Sequence, residues 1–224
     1  MEQDNIERSK VLNQFRRRLF RGVPAGIGVL MAVQAKTALG TAVCQSPSKQ
    51  MSGNTSPRPP GTTTCSGGLS PGFWKVPQHF SSWGPAGAIY PTFFNVVVEC
   101  TTGLTSLTLS NIKTPGTLVS SVLPGASVPS TTGIWAVLAF PGSFTGGQLM
   151  RHLIAAWLNA GYFPTQYPIT RQQVVDMWNA TKSGGTYCAS AGCQTPWSAT
   201  DVINYISGMY DINASGGDPS LCKQ

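Results

Sequence analysis

Six cysteines, Cys44, Cys65, Cys100, Cys188, Cys193 and Cys222, restrict the fold of this 224-residue chain more than any other feature. An even set that begins only at residue 44 points to oxidation outside the cytoplasm, and so to a domain stapled by disulfides. Sequence does not choose among the many pairings that six cysteines allow. Cys188 and Cys193 enclose only Ala-Ser-Ala-Gly, which suits a local loop, and a bond from Cys222 would tether the tail. Each bridge adds roughly 2–4 kcal/mol. Structural zinc would need a second close cysteine pair, or one pair with two histidines. The chain has one close pair, and its two histidines, His79 and His152, lie far apart. No metal or other cofactor is expected.

The segment before the cysteines has the grammar of an export signal. Residues 1–22 are polar and basic, ending in Arg16-Arg17-Arg18-Leu19-Phe20-Arg21. An apolar stretch of 11 residues from Val23 to Val33 follows, then a small-residue run from Thr37 to Ala42. A charged region, a short apolar region and a small-residue exit define a signal peptide. The apolar stretch is too short to cross the ~30 Å hydrocarbon core as a helix. Arg17-Arg18-Leu19-Phe20 resembles the twin-arginine pattern, and Lys36 near the exit fits that route. Cleavage after Gly40 would leave Thr41 first. The expected organisation is a signal peptide over residues 1–40, a Ser/Thr/Pro-rich lead-in over 41–70 and a single globular domain over 71–224, with no membrane attachment once the signal is removed.

That division changes how the net charge of +7 is read. Up to Lys36 there are seven basic and three acidic residues; beyond it there are eight and five, scattered along the chain. Nucleic-acid binding needs lysine and arginine clustered on one face, so it is set aside. Apolar residues make up 41% of the chain, enough for a core, while charged ones make up only 10%. The average soluble domain carries roughly 25% charged residues. Gly, Pro, Ser and Thr fill the difference, which suits an extracellular protein.

The lead-in, with Arg58-Pro59-Pro60-Gly61 at its centre, is expected to be extended or loop-like. The aromatic segment from Ser70 to Trp83 reads as a packed irregular region around two prolines. Between residues 88 and 140, apolar runs at 93–98, 104–109, 117–123 and 134–140 suit short strands or short helices equally. The last third is clearer. Residues 148–160 are apolar nearly all round, interrupted by Arg151, His152 and Asn159, which describes a core helix with Gly161 as its stop. Thr170 with Gln173 forms a capping box, and Ile169 with Val174 a hydrophobic staple. Ser198, Asp201, Trp197 and Val202 repeat that arrangement. The fold class is therefore mainly α, loop-rich and disulfide-stapled, with room for a few short strands.

Ser70-Pro71-Gly72-Phe73-Trp74-Lys75 resembles the G-[FY]-W-K motif of uncharacterised bacterial secreted proteins, where it follows a cysteine as it follows Cys65 here. The group also carries a later helix ending in A-x-L-N, matched by Ala156-Trp157-Leu158-Asn159. The matches are short islands across about residues 65–210. The histidine that often follows the group's tryptophan motif is missing at its usual spacing, the nearest being His79. The resemblance implies an exported domain and speaks to location rather than chemistry.

Trp74, Lys75, His79 and Trp83 form the most varied cluster of side chains, a candidate aromatic platform for a glycan. The competing reading is core packing around a proline-rich turn, where tryptophan contributes large apolar area. Glycan binding requires at least one exposed ring facing a groove. His152 beside Arg151 lacks a carboxylate one turn away on its helix, and a histidine base needs an orienting group. The acids Glu99, Asp176, Asp201, Asp211 and Asp218 carry no hydrolase motif. Asn54, Asn179 and Asn213 open glycosylation sequons, which occur often by chance. The sequence therefore reads as a non-enzymatic structural or adhesive protein of the periplasm, cell surface or extracellular space, acting through self-association or a cell-surface glycan or protein. A secreted hydrolase or a carbohydrate-binding protein using the Trp74–Trp83 region is the alternative. Leu153 and Trp157, four residues apart, are expected to share one buried helix face.

Overall fold

A computed structural model describes residues 45–51, 67–94, 107–190, 193 and 195–210. All of them belong to the unit Ala42–Gln224. Helices dominate, joined by one two-stranded antiparallel sheet. In chain order the helices are α1 (Pro47–Met51), α2 (Pro71–Lys75), α3 (Val119–Val122), α4 (Ile134–Ala139), α5 (Gly147–Tyr162), α6 (Arg171–Thr181) and α7 (Ala199–Gly208). The strands are β1 (Thr92–Phe93) and β2 (Ile112–Thr114). The mainly helical class expected from sequence is found, with a short sheet.

Helix α5 is the centre. Leu149, Met150, Leu153, Ile154, Ala155, Ala156 and Leu158 are buried along it, and α2, α4, α6 and α7 pack against it. A helix apolar on nearly every side has no face to leave in water and must be surrounded. Two expectations for this helix need correction. Gly161 does not stop it: the helix runs on to Tyr162. The glycine instead permits close approach, because a Cβ there would collide with the Ala86 carbonyl and the Arg171 guanidinium. Trp157 is only half-buried, with the Arg171 guanidinium stacked 3.5 Å from its ring centre, while Leu153 is fully enclosed.

Both capping boxes are present. Thr170 Oγ1 accepts from Gln173 N at 3.2 Å, and the Gln173 side chain accepts from Thr170 N at 2.9 Å. Ile169 and Val174 are both buried, as a staple requires. Along α7, Val202, Ile206 and Met209 are buried, while Ile203 and Tyr210 lie partly covered against the core. Of the ambiguous runs, residues 119–122 and 134–139 are helical. Ile134, Trp135, Ala136, Val137 and Leu138 are all buried, so tertiary enclosure decides a conformation that periodicity does not. The sheet pairs Thr92 with Thr114 and Phe93 with Ile112, across a register irregularity. The threonine hydroxyls meet at 2.7 Å.

Two segments expected to be irregular contain helix. Ser70 caps α2 by accepting from Phe73 N at 3.2 Å, and Pro71 takes a first-turn position. Proline is preorganised there and loses no hydrogen bond. A 3-10 helix over Pro77–Ser82 follows directly. In the lead-in, Pro47 begins α1. Residues 95–98 and 104–106 of the apolar runs, and the sequons at Asn54 and Asn213, lie outside the described residues.

Candidate functional site

The nominated cluster occupies α2 and the 3-10 helix after it. Trp74 is 0% exposed and Trp83 1%. Each indole N–H has a partner inside the protein. Trp74 Nε1 donates to Asn159 Oδ1 at 3.1 Å, and Trp83 Nε1 donates to the Trp74 carbonyl at 3.1 Å. Trp135 Nε1 donates to the Lys75 carbonyl at 2.9 Å. Edge-on ring contacts run from Tyr162 to Trp74, Trp83, Tyr90, Phe93 and Trp135. His79 stacks on Phe73 with ring centres 3.6 Å apart, and burial pushes its pKa below the ordinary value. Lys75 is half-buried and enters the cluster through its carbonyl. A glycan platform needs an exposed ring over a groove, and neither Trp74 nor Trp83 supplies one. Both are core residues.

Asn159 explains why this core holds a polar atom. It is fully buried; its Oδ1 accepts from Leu69 N at 2.9 Å as well as from Trp74, and its Nδ2 donates to Leu69 O at 2.9 Å. One amide thus satisfies both backbone groups of Leu69 and an indole, as a buried polar group must. Trp74 of the first sequence island and Asn159 of the second meet here across 85 residues. The sequence marks Asn159 as an interruption of the apolar helix and as the last residue of the A-x-L-N match, without a structural role. The signal was its chemistry: an uncharged side chain with donor and acceptor, deep in an apolar helix, bridges backbone groups.

His152 lies half-buried on α5, with Nδ1 2.9 Å from the Tyr210 hydroxyl and the two rings stacked. Burial, then the neighbouring Arg151 charge, lowers its pKa. Its hydrogen-bond partner is a phenol that burial holds well above its ordinary pKa. Among the described acids, Asp176 accepts from Gln172 Nε2 on its own helix at 2.9 Å, and Asp201 caps α7. Glu99, Asp211 and Asp218 lie outside the described residues.

A second aromatic group sits at the surface, where α1 meets α7. Tyr187 and Trp197 exchange backbone hydrogen bonds, each 2.8 Å long, which closes the turn between them. A disulfide joins Cys188 and Cys193 within that turn, with Cα atoms 5.8 Å apart. Cys44, Cys65, Cys100 and Cys222 lie outside the described residues. Ser198 then opens α7: Ser198 N and Oγ donate to Asp201 Oδ2 at 2.9 and 2.7 Å. The Trp197 ring packs 4.6 Å from that of Tyr205. Helix α1 and the residues just before it close the other side, where Ala189 N donates to Met51 Sδ at 3.2 Å and the Tyr205 hydroxyl donates to the Gln45 carbonyl.

These contacts frame a cleft of about 310 Å³ with Met51, Trp197 and Tyr205 as its apolar part and Gln50, Thr195, Asp201 and Asn204 as its polar part. All four polar residues are exposed. Hydrogen bonds from the Ser198 hydroxyl, then from its backbone N–H, hold Asp201 below the ordinary carboxylate pKa, so it is an anion at neutral pH. Sequence reading used Trp197 and Asp201 only as staple and cap, and placed Gln50 and Met51 in a loop. The closeness of Cys188 and Cys193 located the turn but gave no sign that α1 packs beside it.

Comparison with known protein families, curated proteins and solved structures finds no match. Among the described residues, no three His, Cys, Asp or Glu side chains converge as metal ligands would, and no helix is long and apolar enough to cross a membrane.

Proposed function

We propose that the chain is an exported bacterial protein of the cell surface or extracellular space, with a structural or adhesive role and no catalysis of its own. Its N-terminal segment, on this reading, directs export by the twin-arginine route and is removed near Gly40. The mature, loop-rich domain then acts by contact, with its own copies or with a cell-surface glycan or protein, and with neither nucleic acid nor membrane. The resemblance to bacterial secreted proteins belongs to this proposal.

The observation that carries it is the fate of the Trp74 cluster. The most chemically varied group in the sequence is enclosed, and its indole N–H groups are satisfied by Asn159 and by backbone carbonyls. That arrangement serves architecture. The Cys188–Cys193 bond supports an oxidising destination. Exposed apolar side chains, Phe80, Ile89 and Phe94, offer contact surface around β1.

Fractionation of the native host with N-terminal sequencing tests the reading. Processed protein outside the cytoplasm, starting near Thr41, is the expected result. Intact Met1 on cytoplasmic protein would overturn it, and unchanged export after Arg17→Lys with Arg18→Lys would remove the twin-arginine route. Screening against ester, glycoside and peptide substrates, with His152→Ala as control, tests the absence of catalysis. Hydrolysis lost in a folded His152→Ala protein would replace the adhesive reading with the hydrolase alternative.

A further inference from the structure

We propose that the cleft between α1, the Cys188–Cys193 turn and α7 is a binding site for a neutral saccharide, most simply the terminal unit of a glycan. This deepens the adhesive reading by naming a partner, and it rests on that reading for its biological setting.

The lining narrows the ligand by elimination. Among the described residues that line the cleft there is no lysine or arginine, and the one charged side chain is the Asp201 carboxylate. An anionic ligand would be repelled without compensation. A purely apolar ligand would cover Gln50, Asp201 and Asn204 and leave their polar groups without partners, which costs free energy for each. A cation would find a single carboxylate oxygen, Oδ1 of Asp201, because Oδ2 already accepts from Ser198 N and Oγ and the described lining holds no second carboxylate. A neutral polyol meets every requirement. Its C–H face covers the Met51, Trp197 and Tyr205 surface, and its hydroxyls, each donor and acceptor, pair with amide, carboxylate and hydroxyl groups.

Size and rigidity agree with that chemistry. About 310 Å³ lies at the small end of the ~300–1,000 Å³ usual for ligand clefts, which suits a short terminal unit rather than a long chain. The walls are held in place from three sides: the disulfide with the Tyr187–Trp197 pair, the Ser198–Asp201 box, and the bonds from Ala189 to Met51 of α1 and from Tyr205 to Gln45 just before it. Polar side chains preset around an aromatic wall lose less freedom on binding. Asp201 needs its cap for the fold but keeps Oδ1 for a ligand; among the described residues no bond to that oxygen is made.

The test titrates the full chain, oxidised, with cellotetraose, chitotetraose, maltotetraose and the acidic trigalacturonate, read by tryptophan fluorescence and amide NMR shifts. At least one neutral tetrasaccharide should bind with Kd on the order of 1 mM or tighter. Gln50→Ala and Asn204→Ala, both at exposed positions, should each weaken it at least tenfold, while Asn179→Ala on α6 should not. No neutral sugar binding at about 10 mM, binding of trigalacturonate alone, or binding indifferent to both cleft variants overturns the site. Where the protein is nonetheless recovered outside the cytoplasm in processed form, the saccharide proposal fails and the exported adhesive reading stands. Recovery of unprocessed cytoplasmic protein is the separate failure of that reading.

Discussion

Trp74 and Trp197 each stand at the centre of an aromatic group with polar neighbours, and the two groups are built in opposite senses. Around Trp74 the indole N–H groups and the Asn159 amide point inward and are paired: Asn159 serves Leu69 and the Trp74 indole, and backbone carbonyls serve Trp83 and Trp135. Around Trp197 the backbone is tied by a disulfide, a bridge and a cap, while Gln50, Thr195 and Asn204 turn outward. The first arrangement fixes a core. The second holds a surface in one shape and leaves its polar groups for something else. Aromatic content alone does not separate the two; the destination of the polar atoms beside the rings does.

The largest effect should come from emptying the first group. Trp74→Ala removes a fully enclosed ring and the partner of Asn159, and should cost about 3–5 kcal/mol. Asn204→Ala in the second group should stay within about 0.5 kcal/mol, as surface substitutions do. Urea unfolding of both variants measures the contrast. Similar losses in the two would erase it.

Asn159→Leu comes next. It keeps the volume and removes the bridge, leaving the Leu69 N–H and C=O and the Trp74 indole N–H without their partner. At about 1–3 kcal/mol for a buried group left unsatisfied, with some relaxation, a total of about 3 kcal/mol is expected. Near wild-type stability by urea unfolding would mean that the amide merely fills space.

Replacing Cys188 and Cys193 together by serine should cost about 2 kcal/mol, the value for a short closed loop. The loss should fall on the second group. Hydrogen exchange should quicken at Tyr187 and Trp197, while amides of α5 keep their protection. Uniform quickening across both regions would show that the disulfide secures the whole fold and not the corner.

How far these features could be read in advance depended on whether their cause was local. The caps at Thr170 and Ser198 lie within four residues of what they act on, and they were legible. So was the core character of residues 148–160, because an apolar surface all round admits one outcome. The N-cap at Ser70 with Pro71 is equally local, but it opens a helix of only five residues, too short to show an apolar period among the surrounding aromatics. Gly161 was misread because a glycine that stops a helix and one that admits a neighbouring carbonyl look alike in sequence. The neighbour, Ala86, is brought there only by the fold. Trp157 failed as a core residue for the same reason: Arg171, which stacks on it, follows a turn whose path sequence does not give. The cleft is the extreme case, since α7 meets the segment that leads into α1 through the Tyr205–Gln45 bond, with its separation of 160.

The smallest expected effect is one of acidity, and it sharpens the same contrast. His79 stacks within the Trp74 group and its pKa is lowered by burial from 6.5. His152, facing Tyr210 and Arg151, is lowered too, by burial first and Arg151 second. Both bind protons less readily in the folded chain than in the unfolded one. Their contribution is therefore complete above about pH 6.5 and is lost as pH falls from there through the folded values. Asp201 in the second group is lowered from 3.8, chiefly by the Ser198 hydroxyl, so its contribution persists above that value and is lost only as pH falls through the folded one. Urea midpoints followed downward from neutral pH should first decline through the histidine window, then again in the carboxylate window. His79→Phe and His152→Phe should each flatten the first decline and leave the second. Asp201→Asn should remove part of the second and leave the first. A first decline unchanged in both histidine variants would assign it to groups elsewhere, and would separate the acid response of the molecule from the burial of its core.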